Sequence, residues 1–195
     1  MRSTSLTILA LSLGASALNA QVPIQTPAQM GNPLIAEAKQ AYASIKNNLT
    51  AMAAKMPTAA YNFKATPDVR TFGGLVAHVA DTQMRTCASV VGEQKTADAA
   101  GKTAKNDLVA ALKASFDECD AAWDSITDAN ATQLVGGGRM QRTKLGSMIS
   151  SVVVHDNEEY GYMSVYLRLK GIVPPSSDRS GMGGGMAAPA GRGGR

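Results

Sequence analysis

The chain has 195 residues (20.2 kDa), 45% of them apolar and 17% charged, with two cysteines and two histidines. That is one domain's worth of chain, long enough for a core that needs no staples, so small disulfide scaffolds and zinc-finger arrays are excluded. The formal charge of +4 is carried by the ends: between Asn32 and Pro175, 15 Lys and Arg face 14 Asp and Glu, which leaves no basic face for nucleic acid.

Residues 1–20 carry one positive charge at Arg2, an apolar stretch from Leu6 to Leu13 and small residues from Gly14 onward. This is the layout of a secretory signal peptide, with cleavage after Ala17 or Ala20, and it predicts a periplasmic or secreted protein. The apolar stretch is too short to span a bilayer, so no membrane span is expected after cleavage. Residues 21–31, with Pro23, Pro27 and Gly31, read as a linker.

Four amphipathic segments follow. Asn32-Pro33 supplies an N-cap and a first-turn proline, and Leu34, Ala38, Tyr42, Ile45, Leu49, Met52 and Met56 recur at helical spacing up to Pro57. The second segment begins near Thr71, carries Phe72, Val76, Val79, Gln83, Cys87 and Val90 on one stripe, and ends at Gly92. The third runs from Thr103 to Ile126, with Leu108, Leu112, Ser115, Cys119, Ala122, Trp123 and Ile126 on one face and Asp117, Asp120 and Asp124 opposite. The fourth, Thr143 to Lys170, has Leu145, Met148, Ile149, Val152, Met163, Tyr166 and Leu167 as its stripe and stops at Gly171. The β-branched run Val152-Val153-Val154 could argue for a strand, but length and period favour a helix.

The simplest closure is an all-α, up-and-down four-helix bundle with long connections that build a rim or carry short extra helices. The domain is expected over residues 32–177, and residues 178–195, rich in glycine, as a disordered tail.

Within the fourth stripe, His155 and Glu159 stand where a packing helix would place Leu or Met. Four residues apart, they lie about 40° apart on one face. Buried polar groups of this kind are costly unless satisfied. A divalent metal would satisfy both; so would a buried His–Glu hydrogen bond, or a Glu159 turned outward. A metal needs a third protein ligand, and the other histidine is His78 on the second helix. Periodicity places His78 roughly 140° from that helix's apolar stripe, as a surface residue.

Asp81, one turn after His78, suits either a supporting role beside a metal or a solvated carboxylate. Tyr160, Tyr162 and Arg168 suit either pocket lining or ordinary packing and charge. Gly136-Gly137-Gly138-Arg139 reads as a flexible turn, with an anion-binding nest as the alternative. Cys87 and Cys119, mid-stripe on their helices and without CxxC spacing, read as one structural disulfide in an oxidising compartment or as two buried thiols.

The runs HDNEEYG (155–161) and VYLRLKGIVPPS (165–176), together with FGGLVAHVA (72–80), resemble the last and second helices of the DinB/YfiT-like superfamily of metalloenzymes. The resemblance spans about residues 32–177. It implies a four-helix bundle holding a divalent ion, zinc or nickel, between one His of the second helix and a His-x-x-x-His pair of the last. This chain matches at His78 and His155 and departs at the third position, where Glu159 stands. The implied ligand set is His78, His155 and Glu159, with Asp81 or Tyr160 in support. The family's characterised members further imply a metal-dependent transferase or hydrolase acting on a small molecule, with a low-molecular-weight thiol as partner. The alternative is a bundle without metal that serves binding or envelope stress tolerance. A homodimer is left open.

Overall fold

A computed structural model describes residues 32–138 and 141–179. The expected signal peptide, the linker and the tail from residue 180 lie outside them.

Helix α1 spans Pro33–Lys55. The Asn32 side chain accepts from the Leu34 amide at 3.0 Å, and Pro33 occupies a position whose N–H would have no helical partner. Helix α2 spans Phe72–Val90, capped by the Thr71 hydroxyl, which accepts from the Gly74 amide at 2.9 Å. Helix α3 spans Lys105–Ser125. The last rod is built in three pieces: α4 over Lys144–Met148, a π-helical stretch over Ile149–Val154 and α5 over His155–Leu169. It ends as the sequence predicts, with Gly171 at φ +72 and the Ile172 amide bonded back to the Leu167 carbonyl at 2.9 Å.

Of the connections, one carries a short extra helical turn as expected and another departs from expectation. The first carries a 3-10 turn over Thr58–Ala60. The third carries a short antiparallel pair, β1 (Leu134–Val135) with β2 (Arg142–Thr143), rather than an extra helix. Gly136 and Gly138, both at positive φ, lie in the turn between these strands, where only glycine is unstrained.

Around the bundle the neighbours run α1, α3, α2 and the last rod, which closes back on α1. The core between them is apolar, with Ile45, Leu49, Met52, Phe72, Val76, Leu108, Met148, Val152, Met163 and Leu167 essentially sealed from solvent. Cys87 and Cys119 form a disulfide between α2 and α3, with 4.9 Å between their Cα atoms. Where α3 meets α1, Asp120 accepts from the Tyr42 hydroxyl at 2.8 Å and pairs with Lys46. Asp178, which the sequence assigns to the tail, is instead tied to Lys55 at the end of α1. Among the described residues, no helix is long and apolar enough to cross a membrane.

The start of α2 is fixed against the first connection. The Gly73 and Phe72 amides donate to the carbonyls of Tyr61 and Phe63 at 2.8 and 3.0 Å. A Cβ at Gly73 would lie 3.0 Å from Leu108 Cδ1 and 3.2 Å from the Tyr61 carbonyl. Gly73→Ala is therefore expected to destabilise the fold by about 1–2 kcal/mol, overpacking outweighing the gain in helix propensity. Gly161, within α5, has open space around it, and Gly161→Ala is expected to stabilise by up to about 1 kcal/mol. Urea unfolding of the two variants should give shifts of opposite sign.

Candidate metal centre

The π-helical stretch decides which side chains of the last rod face inward. One extra residue in a turn retards the helix by about 100°. The core line then runs Met148, Val152, Asp156, Glu159 and Met163, all buried, while His155 swings to the flank beside α2. A continuous α-helix drawn from Met148 would place His155 on that line instead. On α2, the buried arc takes in Leu75, Val76, Val79, Ala80 and Gln83. His78 lies outside this arc, as the helical wheel predicts, but with only 32% of its side chain exposed it is not the surface residue that periodicity suggests. It is not turned to solvent: because α2 neighbours the last rod, its ring reaches across to His155.

The two imidazoles meet edge to face, with centroids 5.1 Å apart. Their Nε2 atoms are 3.2 Å apart, and Glu159 Oε1 lies 3.6 Å from that of His78 and 3.9 Å from that of His155. Donors bound at 2.0–2.1 Å to one tetrahedral ion sit roughly 3.3 Å from each other. The three atoms are thus spaced to share a divalent cation with little rearrangement. Glu159 is 5% exposed; Oε1 is the oxygen that faces the two imidazoles, and Oε2 has no hydrogen-bond partner among the described residues.

The electrostatics follow from burial. Burial, with the charge of Arg70 added, lowers the pKa of His78 below the usual imidazole value, which keeps a lone pair available at neutral pH. His155 is shifted upward, because its interaction with Asp156 outweighs burial. Burial pushes Glu159 and Asp156 upward as carboxylates. Among the described residues, neither carboxylate is ion-paired with a lysine or arginine.

Asp81 and Tyr160 touch none of the three donors. Asp81 accepts from the amides of Ala99 and Ala100 at 2.9 and 3.0 Å, pinning the connection before α3. Its carboxylate does share a cleft of about 440 Å³ with His78 and Arg70. Tyr160 holds the segment after α5 through Ser176: its hydroxyl donates to Ser176 Oγ at 2.8 Å and accepts from the Ser176 amide at 2.9 Å. Tyr162 donates to Glu158, and Arg168 donates to Ser177. Beyond Arg70 opens a more apolar cleft of about 640 Å³, walled by Leu75, Tyr162, Val165 and Tyr166. Another cleft, of about 990 Å³, lies by Ser89 and the β1 turn and contains none of the donors.

Sequence reasoning missed Asp156. Its place on the core line depends on the π-helical stretch, which uninterrupted helical counting from Met148 does not foresee. It also missed Arg70, which no periodicity marks because it lies in a loop.

A helical bundle with two imidazoles and a carboxylate converging between its second and last rods is the class of protein this geometry defines. The sequence model of the DinB superfamily matches residues 41–163, and the chain belongs to that superfamily. A crystal structure of a DinB-like protein from Bacillus cereus ATCC 10987 shares the fold, with a TM-score of 0.61 over 72% of this chain and 95% of that one at 18% identity. No curated protein matches the chain.

Proposed function

We propose that this chain is an exported member of the superfamily that holds a divalent ion, zinc or nickel, between His78, His155 and Glu159, and acts as a metal-dependent transferase or hydrolase on a small molecule. A low-molecular-weight thiol is the proposed co-substrate. The observation that carries this reading is the convergence of three donor atoms from two rods within 4.8 Å of one another. Charge supports it as well. Two buried carboxylates beside two imidazoles leave negative charge in a low-dielectric site, and a dication is the simplest neutralisation.

Bound there, such an ion would lower the pKa of a thiol or water and polarise an electrophile. The chain's own part is to present two lone pairs and a carboxylate, and to leave one side open. His78 lines the cleft it shares with Arg70, so a small molecule can approach the donors from solvent. Arg70 stands between this cleft and the apolar one and lines both; it supplies a positive charge for an anionic group of substrate or thiol. The disulfide and the signal-like residues 1–20 together support export to an oxidising compartment.

Elemental analysis of protein isolated from the periplasm without a histidine tag tests the proposal. Near-stoichiometric zinc or nickel is expected. No bound metal even after loading with either ion would end it and favour the metal-free binding or stress-tolerance reading.

A further inference from the structure

Behind the donors lies a row of polar side chains that packing does not require. Asp156, Gln83 and Ser115 are each fully buried, on α5, α2 and α3 respectively. Apolar residues would fill these positions without the desolvation that a buried carboxylate and amide incur. The row has a definite polarity. The Asp156 carboxylate can only accept, so Gln83 turns Nε2 to its Oδ2 at 2.5 Å and Oε1 to the Ser115 hydroxyl at 2.6 Å, a hydroxyl that also lies 2.8 Å from the Leu112 carbonyl. Amide nitrogen donates and carboxylate accepts, so Oδ2 is committed to Gln83. The other oxygen, Oδ1, is 3.5 Å from His155 Nδ1, the ring atom turned away from His78 and Glu159.

We propose that Asp156 is the positioning carboxylate of the metal centre: held by Gln83 and Ser115, it keeps the His155 proton on Nδ1 and so aims the Nε2 lone pair at the ion. This rests on the metal reading given above and adds to it how the ring is set. Nε2 is the His155 atom that stands 3.2 Å from His78 Nε2 and 3.9 Å from Glu159 Oε1, so a proton held on Nδ1 leaves free the nitrogen the site needs. Histidine ligands commonly have the second ring nitrogen fixed by such an acceptor, whose loss weakens metal binding by about 10- to 100-fold. Here the acceptor is braced from two further helices, so bundle packing is converted into ring orientation.

Asp156→Asn tests this in the full-length protein. With Gln83 still donating to the side-chain oxygen, the asparagine NH2 faces His155 Nδ1 and forces the proton to Nε2. Nitrogen-15 NMR of the metal-free protein, at a pH where both imidazoles are neutral, is expected to show His155 as the Nδ1–H tautomer in wild type and as the Nε2–H tautomer in the variant. Zinc affinity, measured by chelator competition, is expected to fall about 10- to 100-fold. An unchanged tautomer, or a zinc affinity within about twofold of wild type where a loss of that size is expected, would overturn the proposal. If wild type takes neither zinc nor nickel, the metal reading fails, while the tautomer still decides whether Asp156 sets the ring. Should Asp156→Asn not fold, Gln83→Met, which removes the donor to Oδ2, carries the test: several-fold weaker zinc binding is expected, and unchanged binding overturns the proposal.

Discussion

Metal-free protein carrying Glu159→Gln is expected to unfold at a higher temperature than metal-free wild type at neutral pH, and to gain almost nothing from zinc. Glu159 is buried, with one oxygen unpartnered, and burial raises its pKa. A carboxyl whose folded pKa lies above its unfolded value contributes stability that is fully present below the unfolded value, about 4.3 for glutamate, and is lost as pH rises through the folded one. At neutral pH the wild type therefore carries a burden that glutamine does not. The two melting curves should converge in acid, below the unfolded glutamate's pKa.

Zinc reverses the ranking. Free zinc at a thousandfold excess over its dissociation constant stabilises a protein by about 4 kcal/mol, roughly 12 °C for a domain of this size. Wild type should show that shift. The variant, left with two imidazoles and a neutral amide, should not. Differential scanning calorimetry over a pH series, with and without zinc, measures both. A metal-free variant less stable than wild type at neutral pH, or an equal zinc shift in both proteins, would contradict the site as described.

The second large effect is expected at the disulfide. Cys87 and Cys119 are separated by 32 positions in the chain, and a closed loop of that length stabilises by about 3–4 kcal/mol in the chain-entropy model. The double variant Cys87→Ala/Cys119→Ala should therefore melt roughly 10 °C lower than wild type. Both sulfurs are sealed from solvent, so a reductant added to the folded protein should act only after unfolding. Thermal melts of the double variant and of protein unfolded, reduced and refolded should agree; a fall of only a degree or two would show that the bond adds little. The position matters too. The bond lies one helical turn from Gln83 on α2 and one turn from Ser115 on α3, and Cys119 Sγ contacts the Gln83 carbonyl at 3.8 Å. Cutting it loosens the pair of helices that holds Asp156.

Much of this architecture is legible in the residues because it rests on local physics. Asn32-Pro33 opens a helix, Thr71 caps one and Gly171 ends one, each through a hydrogen bond or dihedral that its residue type favours. The pair His155 and Glu159 is visible for the same reason: four residues on a helix bring two side chains together whatever the rest of the chain does. His78 is different. The helical wheel sets it well off the apolar stripe, as a surface residue, and says nothing of which helix lies beside that flank; in the structure it packs against His155. The order of neighbours around the bundle supplies this, and it depends on where the long connections lead. The β1–β2 pair escaped notice because two-residue strands carry no period. Asp156 was hidden by the π-helical stretch before it, because an uninterrupted helix through Met148 puts His155 on the core line in its place.

In the last rod, winding rather than spelling determines which residue joins the donor cluster. The looser coil over Ile149–Val154 acts as a one-residue spacer, and everything after it is indexed to that spacer. Comparison of this stretch with a straight helix must therefore match side by side across the groove, not letter by letter along the chain. Straightening that coil without shortening the chain would carry His155 round to the core line and away from His78, whereas removing one residue from it would let the rod wind as an unbroken helix with His155 still beside α2.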